Sequence, residues 1–275
     1  MRLKIIHQTL YRYDCAAGFV VQTLRMTASV HDGQRVVSWN IDVKGGQQGA
    51  GFRDGAGDWL QSWTLHGPVV QAPIRVEGVV ETTDTAGVLR GHREQINPLV
   101  YLRDTRATKA DDALRDLAGG VQGADPLDLA HRLSEAVGAA IRYAPGVTGV
   151  QTTAAEALAL GEGVCQDHAH ALIAVARLRD LPARYVSGYL HASADGTPHE
   201  AAHAWAEIHI GGLGWVGFDP SNGTCPDDRY VRTGSGLDAL DAAPVRGVSL
   251  GGAAAQLDVS VKVTQEPEQN GASQG

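Results

Sequence analysis

The chain has 275 residues, 43% hydrophobic and 20% charged, which excludes pervasive disorder and fibrous repeats and leaves room for two domains with ordinary apolar cores. With 23 Lys and Arg against 31 Asp and Glu, the formal charge is −8, and no broad basic face is available for a nucleic acid. Three cysteines, Cys15, Cys165 and Cys225, are too few for a disulfide framework and fit a reducing compartment.

The opening segment, MRLKIIHQTLYRYDC, is interrupted by Lys4, His7, Gln8 and Arg12 and holds no apolar run of signal-peptide length. No stretch approaches the ~20 apolar residues of a membrane span, so a cytoplasmic chain without a membrane partner is expected. In chain order, LKIIHQTLYRY (3–13), QRVVSWNIDV (34–43), DWLQSWTLHG (58–67) and IRVEGVVETT (74–83) read as strands. HDG (31–33), KGGQQGAG (44–51) and RDGAGD (53–58) are turn signals between them. These predict an all-β, sandwich-like domain over 1–95, with Trp39, Trp59 and Trp63 packing its core.

Near residue 96 the pattern changes. NPLVYLRDT reads as an irregular connection and 107–120 as a helix ending in Gly-Gly. Residues 124–143 predict a helix capped by Asp125 with Pro126 in its first turn, and 152–163 a helix with a Thr cap and a Gly stop. A helix from Cys165 to about residue 180 has so little polar surface that it should be central. Strands return at 183–192, 201–210 and 214–220, linked by ADGTPHE (194–200) and GGLG (211–214), and again at 255–263. Helices followed by an antiparallel sheet make the second unit, 96–263, α+β. Residues 264–275 have tail composition and are expected to be disordered.

Three residues suggest chemistry. Cys165 opens the central helix, where the dipole and the free backbone N–H groups favour a thiolate, although a lone Cys in an apolar setting is also an ordinary small hydrophobe. His203 shares a strand face with Trp205, Glu207 and His209, as a base or as a satisfied imidazole. Asp219 ends the strand GWVGFDP, where Asp-Pro-Ser-Asn-Gly is turn chemistry and where a carboxylate can also hold an imidazole. A Cys at a helix start, a His on one strand and an Asp at the end of the next together supply a nucleophile, a base and an orienting group. His168, three residues after Cys165, falls on the same helix face and either tunes the thiol or bonds within the core. Trp205 either walls the imidazole from water or packs. Cys165, His168 and His170 lack a paired partner at zinc-site spacing, and there is neither an EF-hand loop nor a phosphate loop, so no metal and no cofactor are expected.

The segments GVCQDHAHALIAVARLRDLPARYVSGYL and HAWAEIHIGGLGWVGFDPSNG, continued by DDRYVRTGSGLDALDAAPVRGV, closely resemble the bacterial transglutaminase-like superfamily. The N-terminal strands, with QRVVSWNIDV and the DGAGD turn, are similar to the β domain that accompanies this core in many bacterial members. The resemblance implies a papain-like fold in which Cys165 is the nucleophile, His203 the general base and Asp219 the orienting acid. It implies a thiol-dependent enzyme acting on amide or peptide bonds through a thioacyl intermediate. Water as acceptor makes a peptidase or amidase, the favoured outcome. An amine as acceptor makes a protein-glutamine γ-glutamyltransferase, and a non-catalytic peptide-binding module is a third reading. Animal transglutaminases place a Trp upstream of the Cys as an oxyanion donor, and no Trp stands between Trp63 and Cys165 here. Tyr143 and Gln151, with Gln166, His168 and Trp205, are therefore the candidate substrate- and oxyanion-contacting residues. The implied partner is a peptide or protein amide; nothing in the sequence specifies an oligomeric state.

Overall fold

The structure, a computed structural model, describes residues 1–191, 202–251 and 255–267. Its first strand, β1 (Arg2–Leu24), alternates with period two: Leu3, Ile5, His7 and Thr9 are buried, whereas Arg2, Lys4 and Ile6 are half-exposed. It is followed by β2 (Gln34–Val43), β3 (Gln47–Arg53) and β4 (Trp59–Thr82). Strands β1 and β4 run antiparallel from Arg2↔Glu81 to Leu24↔Gln61, with register irregularities between Arg12 and Phe19. Strand β2 pairs with the C-terminal half of β4, and β3 with its N-terminal half. The expected strands 58–67 and 74–83 are therefore one strand. Pro68 and Pro73 remove ladder donors, but their fixed φ suits extended backbone and does not force a turn. The segment 44–51 turns only at its start; from Gln47 its Gly-rich backbone pairs with β4. One apolar cluster takes Val20, Leu24, Trp63 and Leu65 from one half of this sheet and Val43, Ile74 and Val76 from the other, and a second joins Leu3, Ile5 and Val80 to Tyr189 and Val231. Trp39 packs against that cluster and donates from Nε1 to the Met26 carbonyl (3.1 Å). Trp59 is only half-buried and lies beneath the Arg53 guanidinium.

The connection NPLVYLRDT contains a 3₁₀ turn at Pro98–Leu102. Helices α1 (Asp112–Gly120) and α2 (Pro126–Ala140) start on side-chain caps from Asp111 and Asp125. A short strand β5 (Arg142–Tyr143) follows. Helix α3 (Ala154–Leu160) carries a Thr153/Glu156 capping box and ends at Gly161 in the left-handed conformation. Then come β6 (Glu162–Gly163) and α4 (Cys165–Arg177). Strands β7 (Ala183–Leu190), β8 (Ala202–Ile210), β9 (Gly214–Phe218) and β10 (Tyr230–Gly236) form an antiparallel sheet in the order β10-β7-β8-β9. Helix α4 is packed against β7, β8 and the other three helices, and every residue from Ala169 to Ala176 is buried, as its all-round apolar sequence requires. The expected link 194–200 lies outside the described residues.

Strand β11 (Val245–Leu250) and strand β12 (Ala255–Gln265) correct the expected domain division. The segment 255–263 does not belong to the second unit. Strand β12 pairs with β1 from Leu3↔Gln265 to Tyr13↔Ala255, and β11 pairs with it from Phe19↔Leu250 to Leu24↔Val245. Its alternation revealed a strand but not which sheet would accept it. The strand also carries two residues past the expected start of the tail, to Gln265, and 268–275 lie outside the described residues. The crossing into the core comes before residue 96: Val88 bridges to Val216, and the Leu89 N–H donates to the Trp215 carbonyl.

A buried ionic network joins the two units. Arg232 on β10 donates to Asp58 Oδ1 (2.9 Å) and Ser29 Oγ (2.9 Å) of the β domain, and to Glu207 Oε1 (3.0 Å) of β8. Arg184 on β7 donates to Glu207 Oε2 (2.7 Å) and Glu94 Oε2 (2.5 Å), with its guanidinium 4.0 Å over the Trp215 ring. Burial opposes ionisation of Glu207, but the two guanidiniums outweigh it and hold its pKa at about 2.

Candidate active site

Cys165 is placed by the β6–α4 junction. Strand β6 pairs in parallel with β5, Tyr143 opposite Gly163. The Val164 N–H then donates to Asp167 Oδ2 (2.8 Å), which ties off the first turn of α4. The same oxygen accepts from Thr148 Oγ1 (2.6 Å), so the fully buried Asp167 also holds the loop that follows β5. A side chain at position 163 would put a Cβ 2.8 Å from this carboxylate, which is why glycine stands there.

His203 is the second residue of β8, opposite Gly188 of β7. Asp219 follows the last residue of β9 and closes a tight loop with Thr224, donating from its N–H to the Thr224 carbonyl (2.8 Å). His203 Nε2 and Asp219 Oδ2 lie 2.6 Å apart. Cys165 lies close enough to act on the imidazole together with Asp219, favouring its protonated form. Because Nε2 is taken by the carboxylate, Nδ1 is the nitrogen left for the thiol. Asp219 is fully buried and its oxygens accept from further donors: Tyr230 OH (2.8 Å) and Asn222 Nδ2 (2.7 Å) at Oδ2, and Ser221 Oγ (2.6 Å), Ser221 N–H (3.1 Å) and Asn222 N–H (3.3 Å) at Oδ1. Burial alone would raise its pKa, but His203 and these donors bring it down to about 2. Burial would likewise lower that of His203; the hydrogen bond to Asp219 and the influence of Asp219 and Cys165 outweigh this and raise it to about 10. The imidazole thus keeps its proton across neutral pH.

Cys165 and His203 open on a cleft of about 610 Å³, within the range of small-molecule and peptide side-chain sites. Among the expected contacting residues, Tyr143 and Gln166 line it. Gln151 does not: it is exposed and its Oε1 accepts from Arg106 (3.3 Å). His168 does not reach the cleft either. Its Nδ1 lies 2.9 Å from the Val164 carbonyl and its Nε2 2.7 Å from the Ile141 carbonyl, so it pins the start of α4 to the strand entry beside it. Trp205 is buried behind the imidazole, stacked at 6.4 Å on His203 and edge-on to Tyr230 at 5.5 Å, and it packs rather than meeting substrate. Sequence reasoning missed Tyr230, Ser221 and Asn222. The last two had a signal, since Asp-Pro-Ser-Asn places side-chain and backbone donors two and three residues after a carboxylate. Among the described residues no His/Cys/Asp/Glu group is arranged to hold a metal ion.

Residues 115–220 match the family described as the transglutaminase-like superfamily, and residues 3–81 match the bacterial transglutaminase-like N-terminal region. The chain belongs to the transglutaminase-like superfamily. The transglutaminase-like core thus spans α1 to Pro220, taking in all three residues of the Cys-His-Asp set. An uncharacterised protein of Mycobacterium leprae is 27% identical over 96% of this chain and 99% of its own length. An uncharacterised protein of Mycobacterium tuberculosis is 39% identical over 44% of this chain and 42% of its own. In fold, the chain is similar to a crystal structure of a proposed cysteine protease from Cytophaga hutchinsonii, with a TM-score of 0.73, 21% identity, and coverage of 97% of this chain and 92% of the other.

Proposed function

We propose that the protein is a thiol-dependent enzyme that cleaves amide or peptide bonds through Cys165, His203 and Asp219. The observation that carries this reading is the position of His203, held by Asp219 at 2.6 Å and sharing the cleft with Cys165. In the first half-reaction the Cys165 thiolate attacks the carbonyl carbon, and the His203 imidazolium donates its proton to the leaving nitrogen, releasing an amine and leaving a thioacyl-enzyme. Asp219 fixes the ring through Nε2 and stabilises its charge. The Cys165 N–H, in the first turn of α4 where no intrahelical acceptor exists, is placed to donate to the developing oxyanion, with Gln166 and Tyr143 beside it in the cleft. In the second half-reaction neutral His203 takes a proton from water as its oxygen bonds to the thioester carbon, and the C–S bond then breaks, releasing the acid and returning the Cys165 thiolate beside protonated His203. Hydrolysis is the favoured outcome because the default acceptor is water. The three unpaired thiols support action in a reducing compartment.

The test is mass spectrometry of products from a mixed peptide library, with and without a primary amine. Chain cleavage or ammonia release without amine incorporation is expected, and it is expected to vanish in Cys165→Ala. Turnover that survives Cys165→Ala refutes the proposal. Incorporation that dominates over hydrolysis makes the protein an acyltransferase.

A further inference from the structure

The cleft does not end at the thiol. Its lining also takes in His7 and Met26 of the β domain, Tyr189 of β7, and Ala242, Ala243 and Pro244 on the segment leading to β11. Among the described residues this wall offers no ionic partner. Burial pushes the His7 imidazole down to about 4, so it is neutral; its Nδ1 lies 2.9 Å from the Tyr189 hydroxyl and its Nε2 2.9 Å from Thr9 Oγ1. Arg25, next to Met26, directs its guanidinium to Asp54 and the Asp241 carbonyl. A carboxylate or ammonium entering here would leave water without meeting a counter-charge, whereas an apolar side chain would gain from the surface it removes from water.

Resting on the amide-bond reading above, we infer that this inter-domain end of the cleft is the subsite for a side chain of the acyl donor, that it takes an uncharged apolar residue, and that the N-terminal domain thereby sets specificity. The wall and the catalytic pair line one cleft, so an acyl donor with its carbonyl at Cys165 shares that cavity with His7 and Met26.

The experiment uses peptides that differ only in one residue on the acyl side of the scissile amide: Leu, Phe, Asp or Lys. Their binding to Cys165→Ala is read by fluorescence anisotropy, and their turnover by the wild-type protein is read by mass spectrometry. Both are repeated with Met26→Lys and with Ala243→Lys, each combined with Cys165→Ala for the binding arm. The Leu and Phe peptides are expected to bind at least ~10-fold tighter than the Asp and Lys peptides, and each lysine variant to shift the preference at least ~10-fold towards Asp. Apolar preference in binding without turnover would uphold the subsite and refute the amide-bond reading. Turnover with equal binding of Leu, Asp and Lys peptides would uphold the activity and overturn the subsite. Absence of binding by every peptide overturns it too, as does a lysine variant that weakens all four equally. Ala243 is half-buried on a connecting segment, so its variant decides the matter if Met26→Lys, at a buried position, does not fold.

Discussion

Replacing Asp219 by Asn changes one atom at the point where most of the site's hydrogen bonds converge. Both carboxylate oxygens face only donors: His203, Asn222 and Tyr230 at Oδ2, and Ser221 and the Asn222 N–H at Oδ1. A carboxamide has one acceptor end. If its oxygen occupies the Oδ2 position, its NH₂ is pressed against the Ser221 and Asn222 backbone N–H groups, which cannot reverse. If its NH₂ takes the Oδ2 position, His203 must present a bare Nε2, and the proton moves to Nδ1, facing the thiol. In either arrangement the imidazolium loses its anionic partner. Burial then dominates, and the His203 pKa falls from about 10 towards or below its ordinary 6.5. The general acid is needed for the leaving nitrogen and is lost as pH rises through that pKa. The upper limb of the kcat/KM profile should therefore move down by more than one pH unit, and the neutral-pH rate should fall about 10²–10⁴-fold. Steady-state rates from pH 5 to 10.5 on one peptide, with circular dichroism to establish folding, make the measurement. A folded Asp219→Asn protein within fivefold of wild type, with an unmoved upper limb, would refute the triad.

Gly163→Ala would force a Cβ against the Asp167 carboxylate that ties off α4; we expect ~1–3 kcal/mol of destabilisation by denaturant titration and at least a tenfold lower kcat. Asp58→Ala leaves Arg232 buried with Glu207 as an anion already shared with Arg184, and should cost about 3–5 kcal/mol, read as a lower urea midpoint. Asp219 and Glu207 have ordinary values of 3.8 and 4.5 and folded values near 2. Their contribution is complete above those ordinary values and is lost as pH falls towards 2, so acid unfolding should set in below about pH 4.5 and begin higher in Asp58→Ala. Unchanged midpoints in that variant at both neutral and acid pH would show that the ionic network does not hold the units together.

The three residues proposed for catalysis could be singled out in the sequence because each stands where a local pattern breaks: Cys165 at a Gly-flanked helix start, His203 near the start of an alternating strand, Asp219 at a Pro-terminated one. Helices α2 and α3 were legible through Asp125, Pro126 and Thr153, whose caps act on their own neighbours. Strand β10 was not. YVRTGSG is largely polar and Gly-rich, and its polar residues Arg232 and Ser235 are buried where they meet Asp58, from a turn about 175 residues earlier in the sequence. Tyr230 escaped notice for the same reason, since its partner Asp219 sits on a separate loop. The partner strands of β11 and β12 were equally hidden, because period-two alternation orients side chains but does not name the neighbour.

The pairing of β1 with β11 and β12 has a consequence for the order of assembly. A ribosome delivers β1 first and its outer neighbours last, so that one side of a 23-residue strand stays unpaired while the whole core is being made. Such an open edge invites pairing with other chains, and closing it means joining segments more than 200 residues apart, which slows folding. Ala242, Ala243 and Pro244 lie just ahead of β11, so the far wall of the cleft is laid down in that closing step. The cleft beside the half-buried Cys165 is therefore complete only when β11 and β12 have paired back onto β1.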